Sequence, residues 1–226
     1  MTRNLRPTAL TSARRSALLG FAALGAAGAI VLGPAVAHAA PAEKATTQVT
    51  TDRKGHGERE LNVRYEAQPN FYYCGPAATR IALSAHDKTP SFDALANDLG
   101  TTTSGTNSID DITRVLNANY GDDKRYVSVK LENRNADDAQ TDKLRTDVMA
   151  AVGAGDPVVV NIAGTVTDTD GQRHSYEGGH YLTATGYTEG GTLITITDPA
   201  DRDGDNEYQV PVDRLADWAA TRGYTH

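Results

Sequence analysis

The apolar residues of this chain change period partway along it, and that change limits the possible folds more than any other feature. In CGPAATRIALSA, beginning at Cys74, Ala78, Ile81, Ala82 and Ala85 recur at helical spacing, and Pro76 falls in the first turn, where a helix accepts it. A second helix is expected from the cap Ser91 through Phe92, Leu95 and Leu99 to Gly100. A third is expected from Ser108 through Ile109, Ile112, Val115 and Leu116 to Gly121, with Ser108 and Asp111 at capping-box spacing. Beyond these the period shortens. Tyr126-Val127-Ser128-Val129 reads as a strand, Asp142 to Val152 as an amphipathic helix and Pro157 to Ile162 as a buried strand. HYLTATGY and TLITITD, separated by Thr188-Glu189-Gly190-Gly191, read as a hairpin, followed by a strand from Tyr208 to Val212 and a closing helix around Arg214 to Ala220. Upstream, Leu61, Val63 and Tyr65 alternate with polar partners, as in a half-buried strand. Helices first and an antiparallel sheet later define an α+β plan.

The first residues have a different purpose. Arg3, Arg6, Arg14 and Arg15 precede an uncharged run from Ala17 to Leu32, and Ala37-His38-Ala39 supplies a small-x-small cleavage site, so residues 1–39 read as a signal peptide cut before Ala40. The run is short and rich in Ala and Gly, which suits a signal better than a membrane anchor. Arg14-Arg15-Ser16-Ala17-Leu18-Leu19 resembles a twin-arginine signal, although Ala17 stands where a bulky residue is usual; the general secretory route stays open. Residues 40–60 are polar and nearly free of large apolar groups and read as a flexible leader. This leaves 61–226 as one domain, large enough to bury a core.

Export removes four of the 22 Lys and Arg residues and no acid, leaving 18 against 29 Asp and Glu, a net charge of −11. A surface this acidic disfavours nucleic acid and anionic membranes as partners. A secreted, soluble protein with no stable membrane association is expected; oligomeric state is not legible.

Cys74 is the only cysteine in 226 residues, so no internal disulfide can form. A thiol becomes nucleophilic on ionisation, which a helix N-terminus or a neighbouring imidazolium promotes. Cys74 opens the first expected helix. Of six histidines, His38 leaves with the signal, His56 lies in the leader, His226 is the last residue and His86 stands at the far end of the Cys74 helix. His174 falls in a polar segment that reads as an exposed loop, whereas His180 opens a strand after Gly178-Gly179 and is the better partner. Asp198 ends the strand that pairs with the His180 strand, and a tight turn near Glu189 brings those strand ends together. It is placed to orient the imidazole. The Cys74 N–H and the Gln68 side-chain amide are candidate oxyanion donors.

QPNFYYCGPAATR, GGHYLTATGY and ITDPA, in this order and at about this separation, resemble the cysteine peptidase family 39-like domains of the papain-like superfamily, related to the double-glycine, bacteriocin-processing peptidases. LGTTTSGTNSIDDITRVLNANYG resembles the family's two-helix insert and DPVVVNI its central strand, so the similarity spans about residues 61–200. The resemblance implies a papain-like fold, with N-terminal helices packed on a C-terminal antiparallel sheet. It assigns Gln68 to the oxyanion hole, Cys74 as nucleophile, His180 as general base and acid, and Asp198 as orienter. The expected activity is hydrolysis of peptide or amide bonds in a peptide or protein substrate, with no metal or organic cofactor needed. Two alternatives stand beside it: a cell-wall peptide amidase or endopeptidase with the same triad, and a catalytically silent binding domain on the same scaffold.

Other features read more simply. Asp201, Asp203, Asp205 and Glu207 suggest a calcium loop, but Gly204 is misplaced for an EF-hand, and a solvated hairpin turn fits better. Asp168 and Asp170 read the same way. Phe71, Tyr72 and Tyr73 could line a cleft beside the thiol or pack beneath its helix; the sequence favours neither.

Overall fold

The structure, a computed structural model, describes residues 57–121, 123, 125–200 and 206–226. The expected signal peptide, residues 40–56 of the leader, and Asp201, Asp203, Gly204 and Asp205 lie outside the described residues.

Three helices come first: α1 (Cys74–Ser84), α2 (Phe92–Leu99) and α3 (Ile109–Tyr120). Their ends follow from the sequence punctuation. Ser91 caps α2 by accepting a hydrogen bond from Ala94 N, worth about 1 kcal/mol, and Gly100 ends it in the left-handed region at φ 66°. Ser108 precedes α3 as expected, but it forms no capping box. Its hydroxyl donates to Asp111 Oδ2 at 3.1 Å, so the two side chains satisfy each other instead of the backbone.

The sheet contains seven strands among the described residues: β1 (Arg59–Glu60), β2 (Ser128–Val129), β3 (Val158–Thr167), β4 (Arg173–Thr188), β5 (Leu193–Thr197), β6 (Glu207–Pro211) and β7 (Gly223–Thr225). They run in the order β2-β7-β3-β4-β5-β6, with β1 also paired to β4, and each pairing is antiparallel. The expected hairpin is β4 and β5, closed by a short 3₁₀ turn at Glu189–Gly191. α4 (Asp138–Ala154) lies between β2 and β3, and α5 (Val212–Ala219) between β6 and β7.

Alternation along β3 divides the core in two. Val159 joins Tyr181 in a cluster with Ala78, Ala82, Leu95, Ile112 and Leu116 of α1–α3. Val158, Val160 and Ile162 join Leu182 and Ile196 in a cluster with Leu144 and Val148 of α4 and Leu215 and Trp218 of α5. Helices therefore cover both faces of the sheet, which is why β3 reads as an unbroken apolar run. α1–α3 take one face, as expected, while the later helices α4 and α5 take the other.

Several expectations are corrected. Leu61, Val63 and Tyr65 do alternate in burial with exposed neighbours, but they form no strand. Their backbone is tied by single bonds, Leu61 N to Thr185 O and Arg64 N to Ser84 Oγ, and the strand pairing belongs to Arg59 and Glu60, inside the expected leader. α4 begins four residues before Asp142, because Asp137 and Gln140 form a full capping box. β3 and β4 continue as a long hairpin, with a bulge between Ile162 and Gly164 and with Val166 still in the core. Asp168 in its turn is 5% exposed and not solvated: it accepts from Asp170 N and Gln172 N and pairs with His174 Nε2 at 2.9 Å. His174 is thus a strand residue, its ring stacked on Tyr208 with centroids 3.7 Å apart. The terminal strand β7, absent from the sequence reading, pairs with both β2 and β3.

Candidate active site

Cys74 is the first residue of α1, and the preceding Tyr73 offers no side-chain cap. Although only 7% exposed, the thiol lines an open cleft of about 230 Å³ together with Thr106, Asn107, Asn161, His180 and Arg222. A larger groove of about 470 Å³ between β3 and α5 contains neither thiol nor imidazole.

Why glycine follows the cysteine is a matter of space. A Cβ on Gly75 would sit 2.2 Å from Thr106 Oγ1, so the loop between α2 and α3 packs directly on the first turn of α1 and forms one cleft wall. Thr106 Oγ1 is itself held by Thr101 Oγ1 at 2.8 Å.

The other wall comes from the sheet. His180, 4% exposed, places Nε2 2.7 Å from Asp198 Oδ1, and its ring shares the cleft with the Cys74 thiol, near enough for each to shift the other's titration. With Nε2 given to the carboxylate, Nδ1 is the atom left for sulfur. The β4–β5 pairing brings these residues together as the sequence suggested. Asp198 is further held by Ala200 N on Oδ1, at 2.9 Å, and by the hydroxyls of Tyr176 and Tyr208 on Oδ2, at 2.8 and 2.9 Å. Tyr176 also stacks on the His180 ring, centroids 4.0 Å apart.

Electrostatics in this row of groups are decided by pairing. Burial pushes the His180 imidazolium toward losing its proton, but hydrogen bonds to Asp198 and Cys74, with their charges, win and raise its pKa to about 9. Burial likewise raises the Cys74 thiol; the hydrogen bond and charge of His180, with the backbone N–H groups of Tyr181 and Gly75, outweigh it and leave the pKa lowered. Asp198 follows the same logic. Desolvation opposes its charge, and His180, Ala200 N–H and Tyr176 hold it below the ordinary carboxylate range. Tyr208 is raised by burial and by Asp198, so its hydroxyl stays protonated and donates. The row can hold a thiolate, an imidazolium and a carboxylate side by side, the state needed for nucleophilic attack on a carbonyl.

Gln68 is buried but is not among the residues that line the cleft. Its backbone N donates to Pro199 O at 2.9 Å, next to Asp198, and its side-chain Nε2 donates to Asn70 O at 2.7 Å. Among the described residues, two further histidines are engaged elsewhere: His86 with Asp156 at 2.8 Å and His226 with Asp147 at 3.3 Å. Phe71 is 82% exposed, Tyr72 and Tyr73 are half-buried, and none of the three lines the cleft or packs beneath α1 in the way considered. Tyr176, Tyr208, Thr106, Asn107, Asn161 and Arg222 are the site residues that the sequence reading missed.

An α+β fold with a helix-start cysteine facing a strand histidine defines the class of papain-like cysteine peptidases. More narrowly, the chain belongs to the Peptidase_C39 like family, whose sequence profile matches residues 60–226. Among solved structures it is similar to a protein described as a C39-like peptidase from Bacillus anthracis, at TM-score 0.52 and 14% identity, covering 74% of this chain and 96% of that one. It is also similar to a double glycine motif protease from an AMS/PCAT transporter, solved with its leader peptide (TM-score 0.45, 15% identity, 74% and 91% covered). A third is the peptidase domain of Streptococcus ComA (TM-score 0.45, 13% identity, 74% and 95% covered). No curated protein matches the chain.

Proposed function

We propose that this chain is an exported cysteine peptidase that cleaves peptide bonds through Cys74, His180 and Asp198. One observation carries the reading: His180 is hydrogen-bonded to Asp198 and shares an open cleft with the Cys74 thiol, whose pKa it lowers. The Cys74 thiolate attacks the carbonyl carbon, forming a C–S bond and an oxyanion. The Cys74 N–H and the Gln68 amide stabilise that oxyanion; support for Gln68 is its burial beside Pro199 and its place in the family pattern. As the C–N bond breaks, His180 gives its proton to the leaving amine. The neutral imidazole then takes a proton from water, whose oxygen displaces the thiolate from the thioester. Asp198 keeps the ring in place and stabilises its charge throughout. Export is supported by the arginine-led apolar segment and its Ala-His-Ala site.

The test is the product profile of a peptide library incubated with wild type and Cys74→Ala in parallel. Wild type is expected to cleave and the variant to be inert while remaining folded. Full activity in Cys74→Ala overturns the mechanism, and slow iodoacetamide labelling of wild type with ordinary alkaline pH dependence identifies a silent domain instead.

A further inference from the structure

We propose that Arg222 forms a carboxylate-binding subsite in the cleft, selecting substrates with an acidic group on the leaving-group side of the scissile bond. The inference rests on the hydrolase reading above and names its substrate class.

Arg222 lies between α5 and β7, in a turn that the surrounding chain fixes in place. Thr221 before it has φ 66°, and Gly223 after it has φ 123°, where an added Cβ would lie 2.2 Å from Val129 O. Arg222 N donates to Ala219 O at 3.0 Å. The side chain that this turn presents reaches the cleft. There the guanidinium lies over Gly179, close enough that a Cβ on that glycine would be 3.2 Å from Nη2.

Arg222 shares the cleft with Cys74, His180, Asn107 and Asn161, yet it forms no ion pair with any described residue. The acids at the start of α3 are already engaged, Asp110 with Lys130 at 2.6 Å and Asp111 with Arg114 at 3.4 Å and Ser108 at 3.1 Å. A planar guanidinium beside two primary amides is a donor set suited to a carboxylate, which Arg holds in a two-pronged geometry. On a surface of net negative charge, an exposed cation at the cleft without an ion-pair partner among the described residues also concentrates anionic peptide there. The side of the scissile bond follows from position. His180 returns the proton to the leaving amine, and Arg222 sits against the residue that precedes His180, so the carboxylate belongs to the leaving portion. It comes either from an acidic side chain or from the C-terminus of the peptide.

The test compares alkylation of Cys74 by iodoacetate and iodoacetamide, which differ only in a carboxylate against an amide, in wild type, Arg222→Gln and Arg222→Glu. The iodoacetate-to-iodoacetamide rate ratio is expected to fall about tenfold in Arg222→Gln, the effect of one charge-assisted hydrogen bond, and further in Arg222→Glu. Raising the salt should bring the wild-type ratio toward that of the variants. A ratio unmoved by either substitution overturns the subsite. The ratio can be read whatever the absolute rate, so it judges Arg222 even where slow, alkaline-dependent labelling has defeated the hydrolase reading. Peptide pairs then separate the two sources: Glu against Gln on the leaving side with an amidated C-terminus, and a neutral peptide with a free or an amidated C-terminus. An acidic preference in either pair that Arg222→Gln abolishes supports the proposal; an acidic preference confined to the acyl side overturns it.

Discussion

His180 Nε2 lies 2.7 Å from Asp198 Oδ1, and both side chains are almost sealed from water, 4% and 1% exposed. Burying an isolated charge costs several kcal/mol, so the arrangement is tolerable only because opposite charges alternate along it and the carboxylate is saturated with donors. Tyr176, Tyr208 and Ala200 N–H supply those donors. The same saturation favours the ionised form of Asp198, which favours the protonated form of His180, which in turn lowers the Cys74 pKa.

The pH dependence follows from the two shifted groups. Cys74 is lowered, so its thiolate persists below the ordinary thiol pKa of about 8.5 and gains its proton only at more acid pH. His180 is raised to about 9, so it loses its proton above that pH. Iodoacetamide labelling of Cys74 is expected to begin its rise below the ordinary thiol pKa, with no loss above 9, because a free thiolate still reacts. Hydrolysis should instead fall on both sides, failing above about 9 for want of a proton for the leaving amine. Labelling that rises as a single step at the ordinary thiol pKa excludes the ion pair.

Asp198 acts through His180 and should matter less than the base itself. His180→Ala is expected to reduce kcat/KM by about 10²–10⁴, and Asp198→Ala by less; equal or reversed losses contradict the roles assigned here. Asp198→Asn keeps the shape and removes the charge. It should lower the His180 pKa, so the alkaline fall in hydrolysis moves from about 9 toward neutral pH, a shift that loss of packing alone does not produce.

The two tyrosines offer a finer test. Each donates one hydrogen bond to Asp198 Oδ2, and a bond to a charged acceptor is worth roughly 1.5–3 kcal/mol. Tyr176→Phe and Tyr208→Phe should each lower kcat/KM about tenfold, with the double variant worse. With fewer donors Asp198 binds its proton more readily, so the acid limb of hydrolysis should move to higher pH. Unchanged pH profiles in both variants mean that the rings serve packing alone.

What the sequence revealed was what short-range chemistry dictates. Pro76, Ser91 and Gly100 mark helix ends because caps and first turns involve neighbours within a few residues, and α1, α2 and α3 fall within one or two residues of expectation. Cys74, His180 and Asp198 were legible through their order and through one hairpin whose turn fixes which strand ends meet. The outer half of the β3–β4 hairpin was hidden because TVTDTDGQRHSY turns only Val166 and Tyr176 toward the core as apolar residues, too few to announce a strand by period. Tyr176 and Tyr208 stayed invisible for another reason: their hydroxyls reach a carboxylate 22 and 10 residues away, and only the finished register of β4, β5 and β6 aims them there. Arg222 depends on β7, a strand of three residues, too short to announce itself by period.

The contact between Gly75 and Thr106 yields the last prediction, because it ties the thiol's helix to the opposite lip of the cleft. Gly75→Ala places a methyl where Thr106 Oγ1 now lies, an overlap that the loop between α2 and α3 can relieve only by moving outward. Overpacking of this kind costs about 1–3 kcal/mol. The urea midpoint should fall accordingly, and iodoacetamide labelling should slow as the sulfur loses its first-turn setting. Adding Thr106→Gly removes the obstructing side chain, so the double variant should be more stable than Gly75→Ala alone despite losing the bond to Thr101. If Gly75→Ala unfolds at the wild-type midpoint and labels at the wild-type rate, the loop is not packed on α1 in solution, and the cleft has a different wall.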